Sequence, residues 1–160
     1  MENLNKPLSP KFLLEDNLIK LARWLRLLGY DAAVYRSTSL SSLIALAKKE
    51  KRVFLTRSKR IFKLKQKFPR YLIKNTSYKN QLNELKDYIK YDEGHLFSRC
   101  MNCNVSLHDI EKKKIKDLIP EAVFETFENY KICRRCGRIF WQGSHYHKMK
   151  LILQKIFLKQ

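Results

Sequence analysis

Lys11-Phe12-Leu13-Leu14-Glu15-Asp16, continued through Leu18-Ile19-Lys20-Leu21-Ala22-Arg23-Trp24-Leu25-Arg26-Leu27-Leu28-Gly29-Tyr30 to Asp31-Ala32-Ala33-Val34-Tyr35, decides the fold class. The first run is short, apolar and closed by two acids. In the second, Leu18, Leu21, Ala22, Leu25 and Leu28 recur at helical spacing on one face, with Lys20, Arg23 and Arg26 round the other side. Gly29 follows where a helix C-terminus favours a left-handed residue. Residues 31–35 then read as a second short strand. Strand, helix and strand in such close succession make a βαβ unit, which implies an α/β protein with a parallel sheet.

The pattern continues outward. A second helix is expected from about Ser39 through Leu43, Ile44 and Ala47, with a serine or threonine as its N-cap. Residues 52–56 and 70–73 are the third and fourth strand candidates. Between them Ser58 to Phe68 reads as a very basic helix, and Tyr78 to Ile89 carries Leu82, Leu85 and Ile89 at helical spacing. The pattern changes at Tyr91-Asp92-Glu93-Gly94. The expected organisation is a flexible arm over 1–10, an α/β domain over 11–92, a cysteine-bearing unit over 93–149 and an amphipathic C-terminal helix over 150–160. Within the third part, a polar helix near Ile110 to Ile119 and a proline-started helix from Pro120 to about Tyr130 are expected. The last helix, with Leu151, Ile152 and Ile156 apolar, offers a face to a protein partner.

Composition narrows the function classes. The chain has 160 residues, 34 Lys and Arg against 15 Asp and Glu, and a formal charge of +19. At 44 % hydrophobic residues it is not disordered throughout, and with 4 Gly and 4 Pro it is not collagen-like. No apolar run approaches the roughly 20 residues of a membrane helix, and no basic segment followed by an apolar core marks a secretory signal. A soluble, cytoplasmic protein with a polyanionic partner, nucleic acid by default, is expected. The basic residues crowd between Lys48 and Lys74, where 12 stand against the single acid Glu50. Their contacts would be to phosphates, hence salt-dependent and poorly sequence-specific. Phe68, Tyr71 and Tyr78 lie nearby, either to stack on bases or to fill the core. His145 and His147 suit general acid–base work or packing between lobes; packing is the expectation.

All four cysteines fall in two C-x2-C pairs, Cys100/Cys103 and Cys133/Cys136. Two residues between thiolates let both sulfurs reach one ion from a tight turn, and two such turns complete a tetrahedral four-sulfur site. Asn104 and Gly137, each following a second cysteine, tolerate the left-handed backbone that such a turn needs. Disulfides, a redox dithiol and an iron site are the other readings. Lack of a secretory signal disfavours disulfides, and a redox motif does not explain two pairs. Structural zinc is therefore expected, serving folding and not catalysis, because a closed site leaves no open coordination position.

Taken together these stretches resemble the Mut7-C RNase family, a PIN-like domain followed by a zinc ribbon. The residues that carry the resemblance are Phe12 to Glu15, Leu18 to Asp31, Phe54-Leu55-Thr56-Arg57, the Cys100 pair, and Cys133-Arg134-Arg135-Cys136-Gly137-Arg138-Ile139-Phe140-Trp141-Gln142-Gly143-Ser144-His145. The resemblance implies carboxylates at the carboxyl ends of parallel strands, where Mg²⁺ or Mn²⁺ activates water against a phosphodiester. The family's first acid aligns with Glu15, with Asp16 beside it. Its acidic pair at the second helix aligns with Leu40-Ser41-Ser42, and its Asp after Thr-Arg aligns with Ser58. Asp31 also matches the family, but at the other end of a strand, which implies a structural role.

The expected function is RNA binding by a member of this lineage with an incomplete catalytic acid set, RNA being favoured over DNA. Lys20, Arg23, Arg26, Arg57, Lys59, Arg60, Lys63, Arg134, Arg135 and Arg138 are the expected nucleic-acid contacts. The alternatives are an active Mg²⁺- or Mn²⁺-dependent ribonuclease on Glu15 and Asp16, with acids such as Asp87 or Asp92 supplied from elsewhere, and a non-catalytic adaptor.

Overall fold

The computed structural model describes residues 10–36 and 39–158; apart from Pro10, the expected N-terminal arm lies outside them. Four strands, β1 (Lys11–Glu15), β2 (Ala32–Tyr35), β3 (Arg52–Thr56) and β4 (Arg70–Leu72), form one sheet in the order β2-β1-β3-β4. Every pairing is parallel. Helices α1 (Ile19–Leu27) and α2 (Leu40–Lys49) make the crossovers that parallel strands require.

The central strands are buried on both faces, which is why they read as continuous apolar runs and not as alternating ones. Phe12 and Leu14 of β1 and Leu55 of β3 point into a core shared with Leu21, Leu25, Leu82 and Leu85. Leu13 and Phe54 point the other way, against Ala47 and Ile61. Gly29 ends α1 at φ +94°, and a Cβ there would meet the His95 carbonyl oxygen at 2.7 Å, so this position needs glycine for both backbone and space.

Helix lengths depart from the sequence expectation wherever a side chain competes for backbone groups. The basic segment after β3 is helical only over α3 (Lys59–Phe62), where the Ser58 hydroxyl accepts the Ile61 N–H. Beyond it, Arg70 turns back to donate to the carbonyls of Leu64 and Gln66, and Phe68 precedes a proline, which disfavours helix. The next helix, α4 (Tyr78–Glu84), also stops short, continuing as turns to Ile89. Leu82, Leu85 and Ile89 are nonetheless buried as the spacing implied.

Past residue 93 a second, antiparallel sheet forms from β5 (His108–Ile110), β6 (Tyr130–Ile132) and β7 (Ile139–Trp141). The polar helix expected over 110–119 is instead the end of β5 and two 3-10 turns, Lys112–Lys114 and Lys116–Leu118. That segment, Lys112-Lys113-Lys114, has too little apolar surface to hold a full helix against the sheet. The proline-started helix is α5 (Glu121–Thr126), and the chain then enters β6. The last helix, α6 (Ser144–Phe157), starts earlier than residue 150. Its apolar face is not free for a partner. Leu153 is fully buried, and Met149, Ile152, Ile156 and Phe157 pack on the same core as α1 and α4, leaving Leu151 and Leu158 exposed.

Candidate nucleic-acid face and four-cysteine centre

In an open parallel sheet the crevice beyond the carboxyl ends of the strands is where ligands bind. Glu15 stands at that end of β1, half-buried, and its Oε2 accepts the Arg57 backbone N–H at 3.1 Å. Asp16 follows it, exposed, in a 3-10 turn. Opposite them are Thr56, whose hydroxyl accepts the Ser58 N–H at 2.9 Å, and Ser39, which caps α2 by accepting from Ser42. Of the serines aligned with the family's acids, Ser58 caps α3 and Ser41 and Ser42 bond the Ser39 hydroxyl.

Of the late acids, Asp87 is exposed in the turns after α4 and Asp92 is engaged elsewhere. Asp92 bonds the His95 ring at 2.8 Å and the Gly94 N–H, beside the turn that leads from α1 into β2 at the amino ends of the strands. Glu84 comes nearer, reaching back to the loop just beyond β4. Its oxygens, however, accept the N–H groups of Lys74 at 3.0 Å and Asn75 at 2.7 Å. Among the described residues the only group of three or more acidic, histidine or cysteine ligands drawn to one point is the cysteine cluster. At the strand ends Glu15 and Asp16 are not joined by a third such ligand among the described residues. Glu15 is already hydrogen-bonded, and one such pair does not fit a two-metal site.

The four sulfurs converge from two matching turns. Cys100 O accepts Asn104 N–H at 2.9 Å, and Cys133 O accepts Gly137 N–H at 2.8 Å. Asn104 (φ +59°) and Gly137 (φ +72°) adopt the left-handed backbone that their sequence positions implied. All four Sγ atoms lie within 4.8 Å of one another, and Cys100 and Cys136 are 3.9 Å apart. Metal–sulfur bonds of about 2.3 Å in a tetrahedron set the sulfurs roughly 3.8 Å apart, whereas a disulfide needs about 2.05 Å. The donor set thus fits a tetrahedral thiolate metal site. Burial opposes ionisation of Cys133, but the N–H groups of Cys136 and Arg135 outweigh it and bring the thiol down to about 7. Desolvation and the neighbouring sulfurs push Cys103 up to about 12, so full ionisation calls for a cation among them.

The first cysteine turn is locked to the parallel sheet. Asn104 accepts the Ala32 N–H at 3.0 Å and donates to Asp31 at 2.6 Å. Asp31 in turn forms a two-pronged pair with Arg52, at 2.7 and 3.0 Å. The structural role expected of Asp31 is thus a clamp between the two sheets' units.

The expected cationic contacts divide into groups. Arg57, Lys59, Arg60 and Lys63 are exposed together on the turn after β3 and on α3. Lys20 lies on another face of α1, its Nζ 4.7 Å from the Tyr78 ring, which stacks on Trp24. Arg134, Arg135 and Arg138 are exposed on the second cysteine turn. Arg26 is a correction: it is buried, donating from Nε to Ala32 O at 2.9 Å and from Nη1 to the carbonyls of Met101 and Asn102. Of the basic residues from 48 to 74, Arg52 is buried in its ion pair and Arg70 lies half-buried over Phe68; the others are exposed. Phe68, Tyr71 and Tyr78 pack internally. His145 and His147, expected to pack between lobes, are exposed on the first turn of α6, and it is Tyr146 that packs, 4.2 Å from the Phe97 ring.

A model of the Mut7-C RNase domain matches residues 10–153, nearly the whole chain. The chain belongs to the Mut7-C RNase domain family. No curated protein and no solved structure shows significant similarity to it. For a Mut7-C RNase domain the natural substrate is nucleic acid, and the exposed cations on α3, α1 and the second cysteine turn agree with that. No helix of the described residues is long and apolar enough to cross a membrane. Sequence reading missed Arg36, exposed directly after β2, although its place at a strand's carboxyl end was the available signal.

Proposed function

We propose that this Mut7-C protein binds RNA through its cationic face and does not hydrolyse it, with Zn²⁺ held by Cys100, Cys103, Cys133 and Cys136 as a structural ion. The observation that carries this reading is the mismatch at the strand ends. Glu15 and Asp16 stand without a third free carboxylate, while the surrounding surface keeps Arg57, Lys59, Arg60 and Lys63 exposed. A phosphodiester can be attracted and held there, but a hydrated Mg²⁺ or Mn²⁺ has too few ligands to be fixed beside it. RNA is favoured over DNA on family grounds, since phosphate contacts alone do not distinguish the sugars. The division at about residue 92, with the cysteine unit as a second RNA-touching part through Arg134 and Arg135, belongs to the same reading.

The test is binding of a labelled single-stranded RNA by the zinc-loaded protein at two salt concentrations, beside the variant Lys59→Glu/Lys63→Glu. Affinity should fall steeply with salt, and the charge reversal should weaken binding to every RNA sequence alike. Equal affinity in the variant and the wild type would remove α3 from the interface. It would favour the adaptor reading, for which α6 leaves only Leu151 and Leu158 exposed.

A further inference from the structure

Between the start of α1 and the second cysteine turn lies a cleft of about 400 Å³, lined by Arg23, Arg26, Arg36 and Arg138 with Asn102 at its side and no acid. Arg23 and Arg26 come from α1 and Arg36 from just after β2, whereas Arg138 comes from the second cysteine turn, far along the chain. Arg23 is on α1, one helical turn beyond Ile19, which also lines the cleft. Arg36 leaves the carboxyl end of β2, whose Tyr35 is paired with Glu15 of β1. Arg138 is fixed because its carbonyl accepts the Cys133 N–H at 2.9 Å. Arg26 forms a floor: its Nε and Nη1 are bound to carbonyls, and its Nη2 donates to no group among the described residues.

We propose that this cleft seats one backbone phosphodiester of the bound RNA, gripped jointly by Arg23, Arg36 and Arg138 across the junction of the two units. The inference rests on the RNA-binding reading above and deepens it. Guanidinium groups suit this task because their forked N–H groups meet phosphate oxygens in pairs. Three exposed arginines in a cleft whose lining holds no carboxylate repel one another until an anion arrives. The cleft adjoins Glu15 and Asp16 through the turn that opens α1, so a strand seated there continues toward the cations of α3. One function remains for the arginines if RNA is not their partner, namely to offset the negative charge of metal-bound thiolates on the wall formed by Cys136.

The experiment uses the full zinc-loaded chain and a fluorescein-labelled 12-nucleotide oligouridylate, with anisotropy titrations and zinc stoichiometry measured on every variant. Arg23→Gln, Arg36→Gln and Arg138→Gln should each weaken binding about tenfold at unchanged zinc content. The double variant Arg23→Gln/Arg138→Gln should lose less than the product of its single losses, because both groups hold one phosphate. Combining Arg23→Gln with Lys59→Glu/Lys63→Glu should instead multiply the losses. If the wild type binds and the arginine variants bind equally well, the cleft is not the seat and the RNA-binding reading survives. Multiplying losses in the double variant overturns the shared seat, and affinity that falls only together with zinc content assigns the arginines to the thiolates. A wild type that fails to bind overturns the RNA reading and this inference with it.

Discussion

At the residue scale the molecule turns on charged groups that look alike in sequence and differ in their partners. Arg23 and Arg26 lie on the same helix at neighbouring positions, yet one is exposed and the other buried. What separates them is the cysteine turn, which supplies the carbonyls of Met101 and Asn102 from 75 and 76 residues away. No local periodicity carries that information. Asp31 was legible as structural from its position, but its partners Arg52 and Asn104 were not. Burial alone would raise the Asp31 pKa; the hydrogen bonds from Arg52 and Asn104 outweigh it and hold the carboxyl below its ordinary range. A carboxylate lowered on folding stabilises the protein fully above its unfolded value, near pH 4, and loses that contribution as pH falls through the folded value. Asp31→Asn should therefore cost about 3 kcal/mol at pH 7, since it leaves Arg52 buried without its main partner. In urea unfolding the gap between variant and wild type should narrow only below about pH 4. A gap independent of pH would mean that the ion pair is not its source. Gly29→Ala should lower stability by at least about 1 kcal/mol, because it adds a Cβ both at positive φ and against the His95 carbonyl.

At the scale of elements, the parallel strands were the legible part. Phe12-Leu13-Leu14 and Val53-Phe54-Leu55 are apolar without alternation because both sheet faces are covered, and that pattern survives in the sequence. The ends of helices were not legible. Lys59 to Lys67 has the composition of a helix, but Arg70 reaches back to two carbonyls and ends it. The two cysteine turns were legible in full, down to the left-handed Asn104 and Gly137, since short motifs with fixed geometry need little help from the rest of the fold. Two predictions belong here. One equivalent of zinc should copurify with the chain, and Cys133→Ser should abolish it together with the near-ultraviolet circular dichroism of Trp141 and Tyr130, because structural metal energy is folding energy. Retention of that signal without metal would make the ion dispensable. Leu153→Ala should cost about 2–5 kcal/mol, as expected for a fully buried leucine in a shared core, and would be read from the urea midpoint. A cost below 1 kcal/mol would mean that α6 is only loosely docked.

For the whole molecule a formal charge of +19 goes with exposed cations on α1, on α3 and on the second cysteine turn. The family was legible from the motifs; the shortage of acids at Ser58 and Leu40-Ser41-Ser42 is what the resemblance implies, and it belongs to the proposed function. In the fold Ser58 caps α3, while Ser41 and Ser42 bond the hydroxyl of Ser39, the residue that caps α2. What the sequence could not convey was the meeting of α1 and the end of β2 with the second cysteine turn in one arginine-lined cleft, since that turn lies about a hundred residues further along the chain. The central claim is that this Mut7-C protein holds RNA without cutting it. Its most direct test is incubation of end-labelled single-stranded and hairpin RNA with excess zinc-loaded protein in Mg²⁺ or Mn²⁺, beside Glu15→Gln/Asp16→Asn. The account predicts salt-sensitive binding by both proteins and RNA as intact as in the protein-free control. Metal-dependent cleavage by the wild type that disappears in the variant would contradict it and restore Glu15 and Asp16 as catalytic residues.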